Sequence, residues 1–196
     1  MPKEPDILKI VKEDILRILG ETKKEVLLDS IKAEIKVSPS FVSQAIKGLE
    51  EENQILVRKN FIRLTKDGQN KAKDIVKKHL VLENYFKRTK NEEEAHKMTD
   101  ILEHYVSEEV IKNIKKLSTF KQKGVPLTEL ELYKENLITD ILIPNNKLFE
   151  RMVSMGILPG EKIRIMYKTP DGFVVNVSRK KIALGKDIAK KIKVLE

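Results

Sequence analysis

The chain has 196 residues, room for one large domain or two to three small ones, and its 40% hydrophobic residues suffice for a core. It has no Cys, which excludes disulfides, thiolate nucleophiles and Cys-ligated zinc or iron–sulfur sites, so any metal must be held by His, Asp and Glu. A net charge of +9 suits a polyanionic partner, while an aromatic share of 5% without Trp argues against stacking platforms for single-stranded nucleic acid.

The N-terminus, Met1-Pro2-Lys3-Glu4-Pro5-Asp6, carries acids early and leads into no apolar run of signal-peptide or membrane-span length, which reads as a cytoplasmic protein with no membrane partner. Apolar residues Ile7, Leu8, Ile10, Val11, Ile15, Leu16, Ile18 and Leu19 then recur at helical spacing, with Pro5 suited to the first turn and Gly20 to the C-terminal stop. A second helix is expected over Val26 to Ile35. Val37-Ser38-Pro39-Ser40 breaks it, and Ser38 or Ser40 caps a third helix that runs to about Glu52. Val42, Ala45, Ile46 and Leu49 form the inner face of that helix, and Ser40, Ser43, Gln44 and Lys47 the outer face.

Residues Ile55 to Thr65 give two short β-prone runs meeting at Lys59-Asn60, a hairpin. Three helices and a hairpin make a winged helix-turn-helix, whose third helix enters the major groove while the wing touches the backbone. A small helical core with an incidental hairpin is the plainer alternative.

A long helical pattern runs from Lys66 to about Arg88, followed by helices over Glu92 to Val106 and Ser107 to Leu117. Ala72, Ile75, Val76, Leu80, Leu82 and Phe86 suit packing on other helices or a second subunit. Residues 118–134 hold Gly124 and Pro126 and read as a linker. From Glu135 the runs are short and β-prone, with Asp171-Gly172 a strong hairpin turn and a short helix from Lys147 to Met155 behind Pro144-Asn145-Asn146. This part is expected to be an SH3-like barrel. The expected domains are 1–66 (winged helix), 67–117 (helical metal-binding and dimerisation segment), 118–134 (linker) and 135–196 (barrel), a mainly α chain with a small β part. Lys+Arg against Asp+Glu is 13 to 11 over 1–66, 11 to 10 over 67–117 and 15 to 9 beyond, so the cationic excess is C-terminal and does not single out the DNA-binding end.

All three His fall in the helical segment. His79 and Glu83 are four apart and leave one helix face together. His96, Asp100, Glu103 and His104 stand at offsets 0, 4, 7 and 8 on the next helix, a single stripe. Nitrogen and oxygen donors on facing helices are what a first-row divalent ion requires. The plain alternative is a solvated charged face. No HExxH pair, Ser/His/Asp set, phosphate-cradling Gly loop or dinucleotide fingerprint occurs, so a sensor fits better than an enzyme, with no small-molecule substrate.

Several stretches resemble the diphtheria toxin repressor family, which includes the manganese-sensing MntR-type repressors. They are Val42-Ser43-Gln44, Leu64-Thr65-Lys66-Asp67-Gly68, Lys78 to Phe86, Glu94-Ala95-His96 and Leu102 to Val110. The pair formed by a His-x-x-x-Glu helix and Glu-His-x-x-Ser-x-Glu is the most specific part. Met152 to Gly160 resembles the FeoA-type SH3-like domain that such repressors often carry.

The resemblance implies a homodimer that binds a palindromic operator in double-stranded DNA when Fe2+ or Mn2+ is present, and so represses genes of metal homeostasis. It implies Asp14 as the N-terminal ligand, with Asp100, Glu103 and His104 beside it, and His79, Glu83 and His96 at the ancillary site, His79 also suiting a binuclear manganese-type site. Two departures stand out. Arg17 occupies the place of a Glu ligand of manganese-type members, and Asn145 to Leu148, where some barrels lend polar ligands, holds only amides and a lysine, with Glu150 a substitute of lesser promise. Ser38, Ser40, Ser43, Gln44 and Lys47 are expected at the groove, and Arg58, Lys59 and Arg63 on phosphates. Two other readings stay open: a metal-independent winged-helix regulator, and an interaction protein acting through its FeoA-like domain.

Overall fold

A computed structural model describes residues 7–119, 124–143 and 145–195, so the expected roles of Pro5 and Pro144 lie outside the described residues. The chain forms two compact units, residues 3–80 and residues 81–196, which meet within one helix.

The first unit runs α1 (Ile7–Thr22), β1 (Val26–Leu27), α2 (Leu28–Glu34), α3 (Pro39–Glu51), β2 (Ile55–Arg58), β3 (Phe61–Leu64) and most of α4 (Lys66–Phe86). Val11, Ile15, Leu16, Ile18 and Leu19 of α1 and Val42, Ala45, Ile46 and Leu49 of α3 are buried in one core with Ile31, Ile55, Ile62 and Ala72. Helical periodicity made these faces, and burying them is the main favourable term. The three strands form an antiparallel sheet in the order β1-β3-β2. This is the winged helix expected.

Two details differ from expectation. Gly20 does not stop α1, which runs on to Thr22; the stop is Lys23, at φ 55°, whose N–H reaches the Leu19 carbonyl at 3.1 Å. Gly20 instead permits close helix contact, because a Cβ there would lie 3.0 Å from Ala72 Cβ and 3.1 Å from Val76 Cγ2. The second helix also starts later, since Val26 and Leu27 are extended and pair with Ile62 and Phe61. The Leu28 N–H then donates to the Asn60 carbonyl at 2.9 Å, which joins the start of α2 to the wing.

The second unit holds the end of α4, then α5 (Glu92–Leu102), α6 (Glu108–Leu117), β4 (Val125–Pro126), β5 (Glu135–Ile141), α7 (Asn146–Ser154), β6 (Lys162–Thr169), β7 (Gly172–Val177), β8 (Lys180–Gly185), α8 (Lys186–Ala189) and β9 (Ile192–Leu195). Its strands form one antiparallel sheet, β4-β9-β5-β6-β7-β8, with irregularities at Ile138/Asp140 and Ile165/Tyr167 that help it coil. The segment expected as a linker is partly built into this domain. Val125 and Pro126 pair with Val194 and Lys193, Leu127 to Glu129 form a 3₁₀ turn, and Leu127 and Leu130 are buried. Proline is tolerated there because β4 is an edge strand.

Helices and sheet of this unit share one core, from Leu82, Phe86 and Leu102 through Val110, Ile111 and Ile114 to Ile138, Phe149, Ile163 and Val175. The Tyr85 hydroxyl donates to the Thr139 carbonyl, and burial, with the Asp140 charge second, pushes the phenol pKa up. Asn113 Nδ2 donates to the Gly160 carbonyl at 2.9 Å. Gly160, at φ +83°, sits so close to α6 that a Cβ would lie 2.9 Å from the Val110 carbonyl oxygen. That glycine ends the Met152–Gly160 motif, whose helix closes in a Schellman pattern: Ile157 N–H to Met152 O and Gly156 N–H to Val153 O. Among the described residues no helix is long and apolar enough to cross a membrane.

Candidate metal centre

Local sequence rules fix the helices that carry the donors. The Asn91 Oδ1 accepts the Glu94 N–H at 2.9 Å, capping α5, and Glu92, Glu93 and Glu94 follow in the first turn, where the helix dipole favours acids. Ser107 caps α6 by accepting the Val110 N–H. Between the two caps the chain must leave one helix and enter the next within a few residues. α5 accordingly ends at Leu102, earlier than expected. Glu103 keeps helical dihedrals and donates its N–H to the Thr99 carbonyl, whereas His104 lies in the turn. The expected single stripe is therefore true of His96, Asp100 and Glu103, and His104 joins them from the turn.

Within the second unit five of the expected donors form an unbroken run. His96 Nδ1 is 3.6 Å from Glu83 Oε1, and its Nε2 is 3.5 Å from Asp100 Oδ2. Donor atoms of Asp100 and Glu103 lie within 4.8 Å of each other, and Glu103 Oε1 is 3.7 Å from His104 Nε2. Lys87, one turn beyond Glu83, approaches that carboxylate at 3.4 Å. The run grades inward: the His96 side chain is 48% exposed, that of Glu103 only 4%. Carboxylates so close, one of them buried, repel strongly at low dielectric, and a divalent cation among them reverses that sign. Oxygen and imidazole donors without sulfur fit Mn2+ or Fe2+.

The other two expected ligands belong to the first unit. Asp14 is half-buried on α1, and His79, buried, precedes Glu83 by one turn of α4. Arg17 is also buried on α1, 3.6 Å from Glu21. In the barrel, Asn145 is used otherwise: its side chain caps α7 by accepting the Leu148 N–H. Glu150 is exposed.

The expected DNA-reading residues lie on the first unit's surface. Ser40, Ser43, Gln44 and Lys47 are exposed on α3, and Ser38 precedes it with its Oγ 2.9 Å from that of Ser40. Arg58 and Lys59 are exposed on the wing, while Arg63 is half-buried, its Nε 3.6 Å from Glu25. Sequence reasoning passed over Phe61 and Leu27, both exposed on the same sheet. The signal was available, because with Ile62 turned inward strand alternation must turn Phe61 outward.

Residues 65–123 match the family model described as the iron dependent repressor metal binding and dimerisation domain, and residues 125–196 match the FeoA domain. No curated protein matches the chain. Among solved structures, a manganese-dependent transcriptional repressor in complex with manganese is 20% identical, covering 94% of this chain and 99% of its own, with a TM-score of 0.48. The T. acidophilum IdeR is 22% identical over 98% of this chain and 97% of its own, with a TM-score of 0.43. A FeoA-like protein from Clostridium acetobutylicum is 30% identical over 38% of this chain and 87% of its own, with a TM-score of 0.34. The chain thus carries, in succession, an iron dependent repressor metal binding and dimerisation domain over residues 65–123 and a FeoA domain over residues 125–196.

Proposed function

We propose that the protein is a metal-dependent transcriptional repressor that senses Fe2+ or Mn2+ and acts as a homodimer on a palindromic operator in genes of metal homeostasis. The observation that carries this reading is the run Glu83, His96, Asp100, Glu103 and His104 on a chain that also presents a winged helix. A divalent ion bound there would supply the positive charge that lets the carboxylates share one site.

Asp14 completes the reading. It lies on α1 of the DNA-binding unit, whereas Glu103, His104 and Asp100 lie in the other unit. Asp14, the N-terminal ligand that the resemblance implies, makes DNA affinity depend on metal. Without metal the carboxylates repel, and the ensemble shifts away from the DNA-competent dimer. His79, Glu83 and His96 hold the ancillary position. Ser38, Ser40, Ser43, Gln44 and Lys47 face base edges, and Arg58, Lys59 and Arg63 lie toward phosphates.

Anaerobic metal titration combined with operator selection tests the reading. Selection of one palindromic sequence that depends on Mn2+ or Fe2+ is the expected result. Equal affinity with and without chelator would make the protein a metal-independent regulator, and recovery of no preferred duplex would direct attention to the FeoA domain as an interaction module.

A further inference from the structure

The two helices that carry the metal donors of the second unit are both backed by the barrel. α5, with His96, Asp100 and Glu103 in and just after it, packs on α7, and its buried residues Ala95 and Leu102 share a core with Phe149 and Met152. α4 reaches β5 by a polar route. Glu83 and Tyr85 stand two residues apart, so roughly 200° separates them around the helix. Glu83 faces His96 on α5, while the Tyr85 hydroxyl donates to the Thr139 carbonyl on β5. The strand register shifts between Ile138 and Asp140, which leaves Thr139 without a paired residue in β6 or β9 and its carbonyl open to the phenol. Leu82 and Phe86, on either side of Tyr85, are buried in the core that α4 shares with the sheet. Arg88 lies 6.0 Å from the centre of the Tyr85 ring and donates from Nη1 to the Leu117 carbonyl at 2.9 Å, which ties the end of α4 to α6.

We propose that Tyr85 is a positioning residue of the metal centre, through which the barrel sets how tightly Glu83 and His96 hold a divalent cation. The inference rests on the metal-sensing reading and gives the barrel a part in it other than ligation, Asn145 serving as the cap of α7. Burial of Leu82 and Phe86 resists separation of α4 from the barrel, but it has no direction and resists rotation about the helix axis only weakly. A hydrogen bond is directional, so the bond from Tyr85 to Thr139 fixes that rotation. Rotation in turn decides how Glu83 meets His96, because the carboxylate stands off the axis on the opposite side. Glu83 has a second suitor. Lys87 is on α4 itself, 3.4 Å away, and follows Glu83 through any rotation, whereas His96 is on α5 and does not. A loosened α4 therefore leaves Glu83 with the ammonium rather than with the metal.

The test uses the full-length protein and Mn2+ alone. Tyr85→Phe removes the hydroxyl and keeps the ring in the core. Asn113→Ala is the control, because Asn113 Nδ2 donates to the Gly160 carbonyl at 2.9 Å, a bond to the barrel made from α6, which carries none of the expected ligands. Calorimetric titration, and thermal unfolding of the metal-free protein, are compared for wild type, both variants, Glu83→Ala and the double variant Tyr85→Phe/Glu83→Ala. Tyr85→Phe is expected to weaken Mn2+ binding at the Glu83–His96 position about tenfold, the low end for loss of a ligand's outer support. Asn113→Ala is expected to lower the unfolding midpoint comparably and to bind Mn2+ as wild type does. In the Glu83→Ala background the Tyr85 substitution should bring no further loss, since a residue that acts through Glu83 then has nothing to position. Wild-type affinity in Tyr85→Phe, equal losses in Tyr85→Phe and Asn113→Ala, or an undiminished loss in the double variant each overturn the inference and leave the metal reading intact. Unchanged affinity and stoichiometry in Glu83→Ala, by contrast, remove the metal position itself and this inference with it.

Discussion

His96 on α5 presents its Nδ1 to Oε1 of Glu83 on α4 at 3.6 Å, so the two helices meet through a nitrogen and an oxygen that are both metal donors. The other ring nitrogen points to Asp100 at 3.5 Å. Glu83→Ala is expected to weaken metal binding at this position by at least about tenfold, the scale seen when even a ligand's supporting partner is lost. Calorimetric titration with Mn2+ measures it. An unchanged stoichiometry and affinity would remove Glu83 and His96 from the ancillary site.

Glu103 is buried and His104 stands beside it in the turn after α5. Glu103→Ala and His104→Ala should each abolish metal-stimulated operator binding and leave a folded dimer. Gel shifts with and without Mn2+, together with sedimentation, check both halves. A normal metal response in either variant contradicts the site.

Gln44 is exposed on α3 and Arg58 on the wing. Gln44→Ala should relax base preference at particular operator positions. Arg58→Ala should instead weaken binding to all sequences alike and reduce the salt slope by about one. The reverse pattern would show that groove and backbone contacts are exchanged.

Asp140 is a mostly buried carboxylate in β5, and desolvation raises its pKa despite the Ile141 N–H it accepts at 2.8 Å. The folded state then holds this proton more tightly than the unfolded chain does. Its ionisation therefore costs stability at neutral pH, and the penalty fades as pH falls through the raised folded value and is gone below the unfolded one. Asp140→Asn, which keeps an acceptor for Ile141, should raise the unfolding midpoint at pH 7 by a few degrees and by much less near pH 4. Equal gains at both pH values would mean that charge is not the cause.

Both domain types were legible because their signals are local. Periodicity gave α1, α3, α4 and α6, turn residues gave the Lys59-Asn60 and Asp171-Gly172 hairpins, and each holds in the structure. What was missed depends on distant partners. β1 is two residues long and exists because Phe61 and Ile62 pair with it. Gly20 looked like a helix stop because Ala72 and Val76, which require its small size, are far along the chain. Gly124 and Pro126 punctuate the sequence as a linker would, yet Pro126 pairs with Lys193, far along the chain. The proximity of Glu83, His96, Asp100, Glu103 and His104 was legible through spacing and resemblance. Spacing alone placed His104 on the α5 stripe, because nothing local announces that the Ser107 cap of α6 forces α5 to end at Leu102.

Asp14, proposed as the ligand through which DNA affinity depends on metal, is probed by Asp14→Ala. The other ligands remain in this variant, so it should still bind metal, though more weakly. Coupling is a free-energy difference between two affinities, so the measurement is operator affinity with and without saturating Mn2+ in wild type and Asp14→Ala. The mutant, saturated with metal, is expected to lose most of the metal-dependent gain in operator affinity. Retention of the full gain would contradict it, even if every other ligand is correctly assigned.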